Sequence, residues 1–174
     1  MTRGGRDRRH HAPFLMPELT STQQALLMDA RRAVLATVDA HGRPRPVPVC
    51  FALDPGSPDT PDAPPVIWTP LDEKPKAAGD VRALARVRDL LARPRVTLLV
   101  DRWDEDWSRL AWLRLLGTAT LVEPDGPEAD AHDRAVRLLR ARYSQYARHA
   151  LETLPMIRVI VEEVAGWEAT PRAG

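Results

Sequence analysis

Prolines occupy every second position of Pro44-Arg45-Pro46-Val47-Pro48-Val49, inside a stretch otherwise patterned as a strand. Proline has no N–H to give to a neighbouring strand. The stretch is therefore a sheet edge, or a strand whose amides face something other than a neighbour; the edge of a bound cofactor would serve. Its partner lies just upstream: Ala33-Val34-Leu35-Ala36-Thr37-Val38 reads as a strand, Asp39-Ala40-His41-Gly42 as a turn, and Arg43 to Leu53 as the returning arm of the hairpin.

The rest of the chain alternates helices with short strands. Thr20 with Gln23 forms a capping box for a helix reaching about Arg32. Asp54 to Pro65 is a Pro/Asp-rich insertion, and Val66-Ile67-Trp68-Thr69 a third strand. Val81, Leu84, Val87 and Leu91 recur at helical spacing before Pro94. Val96 to Trp103 and Ala111 to Val122 are the fourth and fifth strands, flanking the acidic loop Asp104-Glu105-Asp106-Trp107. Pro127 opens a helix whose apolar positions include Ala135, Leu138, Leu139, Tyr143 and Tyr146, and Met156 to Val164 is the sixth strand. Antiparallel strands interrupted by helices imply an α+β barrel, not a doubly wound sheet.

At 174 residues the chain holds one full domain, placed at 17–170 behind a basic tail, 1–16, expected to be disordered. A net charge of +1 gives no reason to expect a nucleic-acid partner, and no apolar run is long enough to span a bilayer. The tail is basic but lacks an apolar core, so it does not read as a secretory signal. The single cysteine, Cys50, lies in an apolar run, which suits a buried thiol in a reducing cytoplasm. The five histidines have no metal-ligand spacing, so no metal site is expected. No catalytic triad, nucleophile elbow or Gly-rich phosphate loop is present, and no side chain stands out as an obligatory acid or base.

Of 25 basic residues only Lys74 and Lys76 are lysine. Their pairing in an arginine-rich chain suggests a site that needs lysine itself. They precede a helix expected to begin near Ala77 or Ala78, whose N-terminal amides would favour an anion. A pair of solvated surface lysines is the alternative.

Four segments together resemble the pyridoxamine 5'-phosphate oxidase-like split-barrel family of flavin and deazaflavin oxidoreductases. They are Leu35-Ala36-Thr37-Val38-Asp39 with Gly42-Arg43-Pro44; Pro46-Val47-Pro48-Val49; Lys74-Pro75-Lys76; and Pro94 to Asp101. A fifth, Asp104-Glu105-Asp106-Trp107 with Arg114 and Gly117, is similar to an actinobacterial branch that uses coenzyme F420. The run Ala111-Trp112-Leu113-Arg114, the stretch Arg86-Val87-Arg88-Asp89-Leu90 and the 54–65 insertion depart from that branch.

The resemblance implies a split β-barrel of about six strands and a homodimer with the cofactor at the subunit interface. It implies an oxidoreductase passing a hydride from reduced F420 to a small organic acceptor, with FMN as the alternative cofactor. A non-enzymatic haem-binding barrel is a further alternative, although the histidines are poorly placed as axial ligands. Lys74 and Lys76 would hold the cofactor's phosphate, helped by the basic density of Arg82 and Arg86. Thr69 would lie by ring and tail, and Pro48 and Val49 beside the ring. Trp112 and Arg114, two apart on one strand face, would complete the cleft from the second subunit. Ordinary roles stay open for Thr69, Pro48, Val49 and Trp112 as backbone-bonded hydroxyl or barrel core; Trp103, Trp107 and Trp167 are assigned to core or interface.

Overall fold

The computed structural model describes residues 18–54, 56, 63–71 and 80–169. Seven antiparallel strands form one sheet: β1 (Ala33–Val38), β2 (Pro44–Val49), β3 (Ala52–Asp54), β4 (Val66–Pro70), β5 (Arg95–Arg102), β6 (Ala111–Val122) and β7 (Met156–Glu168). Their order across the sheet is β2-β1-β5-β6-β7-β4-β3. β2 and β3 follow one another in the chain yet occupy opposite edges of the sheet. Only Cys50 and Phe51 join them, so the sheet must curl until its edges meet. That is a split barrel.

This join explains why there are seven strands and not six. The returning arm expected over Arg43 to Leu53 is broken: β2 pairs with β1 and β3 pairs with β4. The Phe51 N–H at the break donates to the buried Tyr143 hydroxyl at 3.0 Å, and that hydroxyl reaches the carbonyls of Phe51 (2.8 Å) and Arg31 (3.2 Å). A side chain takes the hydrogen bonds that a continuous strand would have spent on a neighbour.

The prolines of β2 obey the edge requirement. Because β2 pairs with β1 through six residues, the donors missing at Pro44, Pro46 and Pro48 fall on its free side. This leaves a rim of carbonyls without N–H groups, which discourages pairing with a further strand.

Strand alternation sends Leu35, Leu98, Leu113, Leu115, Ile67 and Val159 into the barrel, and helices close its ends. α1 (Ser21–Asp29) has the expected Thr20/Gln23 capping box and contributes Leu26 and Leu27, but stops at Asp29, short of Arg32. Its last carbonyls, Leu27, Met28 and Ala30, accept from the Arg142 guanidinium, satisfying the groups a helix C-terminus leaves open. α2 (Ala85–Ala92) follows a single 3₁₀ turn, Val81–Ala83, and buries Val87 and Leu90. Leu91, expected on that face, is exposed; the true helix starts at Ala85, which rotates the stripe onto Leu90.

A second core lies outside the barrel. There α3 (Ala129–Arg142) packs Ala135, Val136 and Leu139 on Trp68, Val122 and Met156. Tyr143 and Tyr146 lie just past the helix, edge to face at 5.5 Å. Asp54, at the start of the insertion, is clamped to this helix by Arg134, with contacts of 2.7 to 3.0 Å. Burial pushes the Asp54 carboxyl up, but its bonds to Arg134, Gly56 N–H and the Trp68 indole outweigh this and hold it below the usual range. Cys50 is half-buried, not fully enclosed.

β6 and β7 pair along their whole lengths, with a bulge between Leu116 and Gly117. A Cβ on Gly117 would lie 2.1 Å from the Ile160 carbonyl oxygen, a backbone atom that has to move to admit it. Gly117→Ala should therefore lower stability by about 1–3 kcal/mol in urea denaturation. Tyr143→Phe keeps the ring but strands the buried Phe51 N–H. We expect a loss of about 1–3 kcal/mol by the same measurement, with little change in the far-UV circular dichroism.

Candidate functional site

α3 covers only part of the sheet's outer surface. Among the described residues no helix lies over the outward positions of the five strands from β2 to β7. Their register aligns Pro48, Val34, Leu99, Arg114 and Ala165 in one row, each directly paired with the next. The adjoining row runs Pro46, Ala36, Thr97, Leu116, Glu163. On the other side lie Asp101, Trp112 and Trp167, again as direct pairs.

Large apolar groups on this side face solvent: Leu99 is 38%, Trp112 37% and Trp167 51% exposed. Beyond them, in the loop between β5 and β6, Trp103 and Trp107 are 73% and 72% exposed. Such a patch marks a surface that something covers. Arg114 stands within it and makes no hydrogen bond or ion pair among the described residues.

Pro48, Trp112 and Arg114 thus share one surface. Val49 does not, because alternation turns its side chain into the barrel core. Only its backbone could touch a ligand beside β2. Thr69 is also interior, 1% exposed, and its Oγ1 has no hydrogen-bond partner among the described residues. A buried hydroxyl without a partner fits a polar ligand group arriving at the end of β4. Lys74 and Lys76 lie outside the described residues, as do Met1–Pro17 and most of the 54–65 insertion.

Two sequence-based expectations about the lysine region change. The helix expected from Ala77 or Ala78 is α2, and it begins at Ala85, after the 3₁₀ turn Val81–Ala83. Arg82, expected to add basic density beside the lysines, forms a paired contact with Glu123 at 2.5 and 3.2 Å. Arg86 is half-buried and has contacts of its own.

A second group of arginines lies where the β1–β2 turn meets α2, with Arg43 and Arg45 ion-paired to Asp39 and Asp89. Arg43, Arg45, Arg88 and Arg93 surround a concavity of about 270 Å³ with Asp39 and Asp89. Asp39 is buried at the turn. It accepts from the Arg43 and His41 N–H groups at 3.0 and 2.8 Å and from the Arg43 side chain at 2.9 Å. The Arg43 N–H is the main cause holding its carboxyl well below the usual range, against the upward push of desolvation. Gly42, at φ +79°, supplies the left-handed residue the turn requires. The alternation of Val96 to Asp101, which forces Leu99 outward, was the signal that could have marked Leu99 as a surface residue; Arg45 and Arg88 carried none, since they meet only in three dimensions.

Of the described histidines, His41 is at the turn, His132 is buried on α3 with Nε2 bonded to the Leu154 carbonyl at 2.8 Å, and His149 packs edge-on against Tyr146. Among the described residues no group of three or more His, Cys, Asp or Glu could hold a metal ion, and no helix is long and apolar enough to cross a membrane.

A curled antiparallel barrel with one uncovered, tryptophan-bearing face defines the class: a PNPOx-like split barrel. The chain belongs to the pyridoxamine 5'-phosphate oxidase family, whose profile matches residues 19–170. Among solved structures, it is similar to a conserved hypothetical protein from Mycobacterium tuberculosis, with TM-score 0.63 and 18% identity over 87% of this chain and 86% of that one. A FAD-binding protein from Mesorhizobium loti matches with TM-score 0.56 and 20% identity over 85% and 94% of the two chains. The haem storage protein HutZ from Vibrio cholerae matches with TM-score 0.56 and 14% identity over 87% and 95%. No curated protein matches the chain. These likenesses establish the shared fold.

Asp39 supplies a test of the turn. Its folded pKa lies below the unfolded value of about 3.9, so its stabilisation is complete above that pH and is lost as pH falls through the folded pKa. Asp39→Asn should be less stable than wild type at pH 7, and the gap should narrow below about pH 4 in thermal melts across pH.

Proposed function

We propose that this protein is a homodimeric oxidoreductase that binds a flavin-type cofactor at the uncovered sheet face, with coenzyme F420 as the cofactor and a small organic molecule as hydride acceptor. The observation that carries this reading is the uncovered face itself, where the unpaired Arg114 stands beside Trp112 with Leu99 and Pro48 in the same row. Membership of the oxidase family supports a flavin-type ligand. The choice of F420 over FMN rests on the sequence resemblance.

When bound, the reduced deazaflavin supplies a hydride, and solvent supplies the accompanying proton. The chain's own task is to bind, orient and exclude water. Lys74 and Lys76 hold the phosphate of the tail. Thr69 would take part only if a polar group of the ligand reached the barrel interior at the end of β4, where its hydroxyl has no partner among the described residues. Arg114 donates to a carbonyl or phosphate oxygen, with its charge strengthened by the apolar surface around it. Trp112 walls the ring, and Pro48 and the Val49 backbone line its other side.

The test is a titration of purified protein with coenzyme F420, FMN and haem in parallel. F420 should bind most tightly. Arg114→Ala and the pair Lys74→Ala with Lys76→Ala should each weaken it at least about tenfold, about 1.4 kcal/mol, without lowering the melting temperature. Preferential FMN binding would move the protein to the flavin oxidases or reductases. Unchanged affinity in the lysine pair would remove the phosphate grip, and tight haem binding alone would remove the oxidoreductase reading.

A further inference from the structure

The β1–β2 hairpin has a second surface with chemistry of its own. Arg45 pairs directly with the buried Thr37, so both lie on the inner side of the hairpin, at the end of the barrel, whereas Pro46 and Pro48 face outward. At this end α2 and the residue after it set Arg88, Asp89 and Arg93 around the concavity of about 270 Å³ that Arg43, Arg45 and Asp39 also line. The strands themselves separate this hollow from the outward face read above as the cofactor site.

The two acids of the hollow are already engaged. Asp39 accepts from the His41 and Arg43 N–H groups and from the Arg43 and Arg45 side chains, which fills the roughly four acceptor positions of a carboxylate. Asp89 accepts from the Thr37 hydroxyl and meets Arg45 Nε, both at 3.2 Å. Arg45 thus spans the two carboxylates, and its charge and that of Arg43 are answered within the chain. The charges of Arg88 and Arg93 are not. Among the described residues Arg88 makes no hydrogen bond or ion pair, and Arg93 bonds only the Ala40 carbonyl, at 3.3 Å. Four arginines against two aspartates leave two positive charges uncompensated around one hollow.

We propose that this concavity binds the phosphate group of a small ligand other than the flavin-type cofactor, with Arg88 and Arg93 as its charge contacts. A phosphate monoester or diphosphate matches both the surplus of two charges and the planar donor forks of arginine. Arg43 and Arg45 contribute without giving up their carboxylates. A guanidinium has five N–H donors, and the carboxylate contacts of each arginine use its Nε and Nη2 side, leaving the Nη1 donors for the anion. Held by Asp39 and Asp89, these two side chains are ordered in advance, so binding loses little of their rotamer freedom. Arg93 follows the C-terminus of α2, whose negative dipole end takes part of its charge; Arg88 therefore carries the larger share. The hollow is smaller than the roughly 300–1,000 Å³ of pockets that enclose whole ligands, so it takes the phosphate and leaves the rest of the ligand at its rim.

Calorimetric titration of the full chain with sodium pyrophosphate, at constant ionic strength and without cofactor, tests the site. Wild type should bind the probe with a dissociation constant below about 1 mM. Arg88→Ala, at an exposed position with no partner among the described residues, should weaken binding about tenfold without moving the melting temperature. Arg88→Ala/Arg93→Ala should abolish it. Arg88→Lys, which keeps the charge but not the planar fork, should fall between wild type and Arg88→Ala. Lys74→Ala/Lys76→Ala and Arg114→Ala should leave the affinity within about twofold, since they lie outside this hollow. Unchanged binding in Arg88→Ala/Arg93→Ala would overturn the proposal. So would its loss in the lysine pair, which would place the anion in the cofactor site. No binding by wild type would overturn it and leave the flavin reading untouched, whereas failure of F420 to bind would bear on that reading alone.

Discussion

The Tyr143 hydroxyl bridges the one place where the sheet cannot bond to itself. Between β2 and β3 the chain leaves one edge of the barrel and joins the other in two residues, and Phe51 has no strand partner for its N–H or carbonyl. Tyr143 serves both, while the neighbouring Arg142 closes the C-terminus of α1 and lies 4.9 Å over the Phe51 ring. A buried hydroxyl and a guanidinium from the end of α3 thus tie the split, the first helix and the outer helix together. Leaving such groups unmet costs about 1–3 kcal/mol each, a large part of the margin of a small domain.

That clasp also sets what remains uncovered. Because α3 ends at the split, it lies over β3, β4 and the adjoining ends of β6 and β7, forming the second core with Trp68 and Met156. Among the described residues, the outward side of the other strands gets no helix. Its apolar residues alternate correctly with buried neighbours, so they are not core residues that failed to fold inward. They are surface positions kept apolar, with an arginine among them that has no partner among the described residues, and this combination is why we propose the face as the site.

The barrel was legible in the sequence because the signals are local. The capping box at Thr20, the Asp39–Gly42 turn and the proline alternation each fix their own backbone, and the prolines correctly placed β2 at an edge. What stayed hidden depends on partners far along the chain. The break after Val49 exists because a residue 92 positions from Phe51 takes its hydrogen bonds. Arg82, expected to add basic density, is paired with Glu123, 41 positions away. Of the site residues, Pro48, Trp112 and Arg114 could be put on one surface from period-two spacing plus the family resemblance, whereas the inward aim of Val49 follows from which face α1 and α2 close. The role of the lysine pair is a matter of sequence and resemblance alone.

The central claim is that the uncovered face works as a shared cofactor site between two copies. Sedimentation velocity followed at the cofactor's own absorbance measures this directly, since it reports which species carries the ligand. The account predicts that bound deazaflavin travels with a dimer, at two cofactors per dimer, and that Arg114→Ala releases it while the dimer persists. Cofactor travelling with a monomer, or free of protein at saturating concentrations, would contradict it.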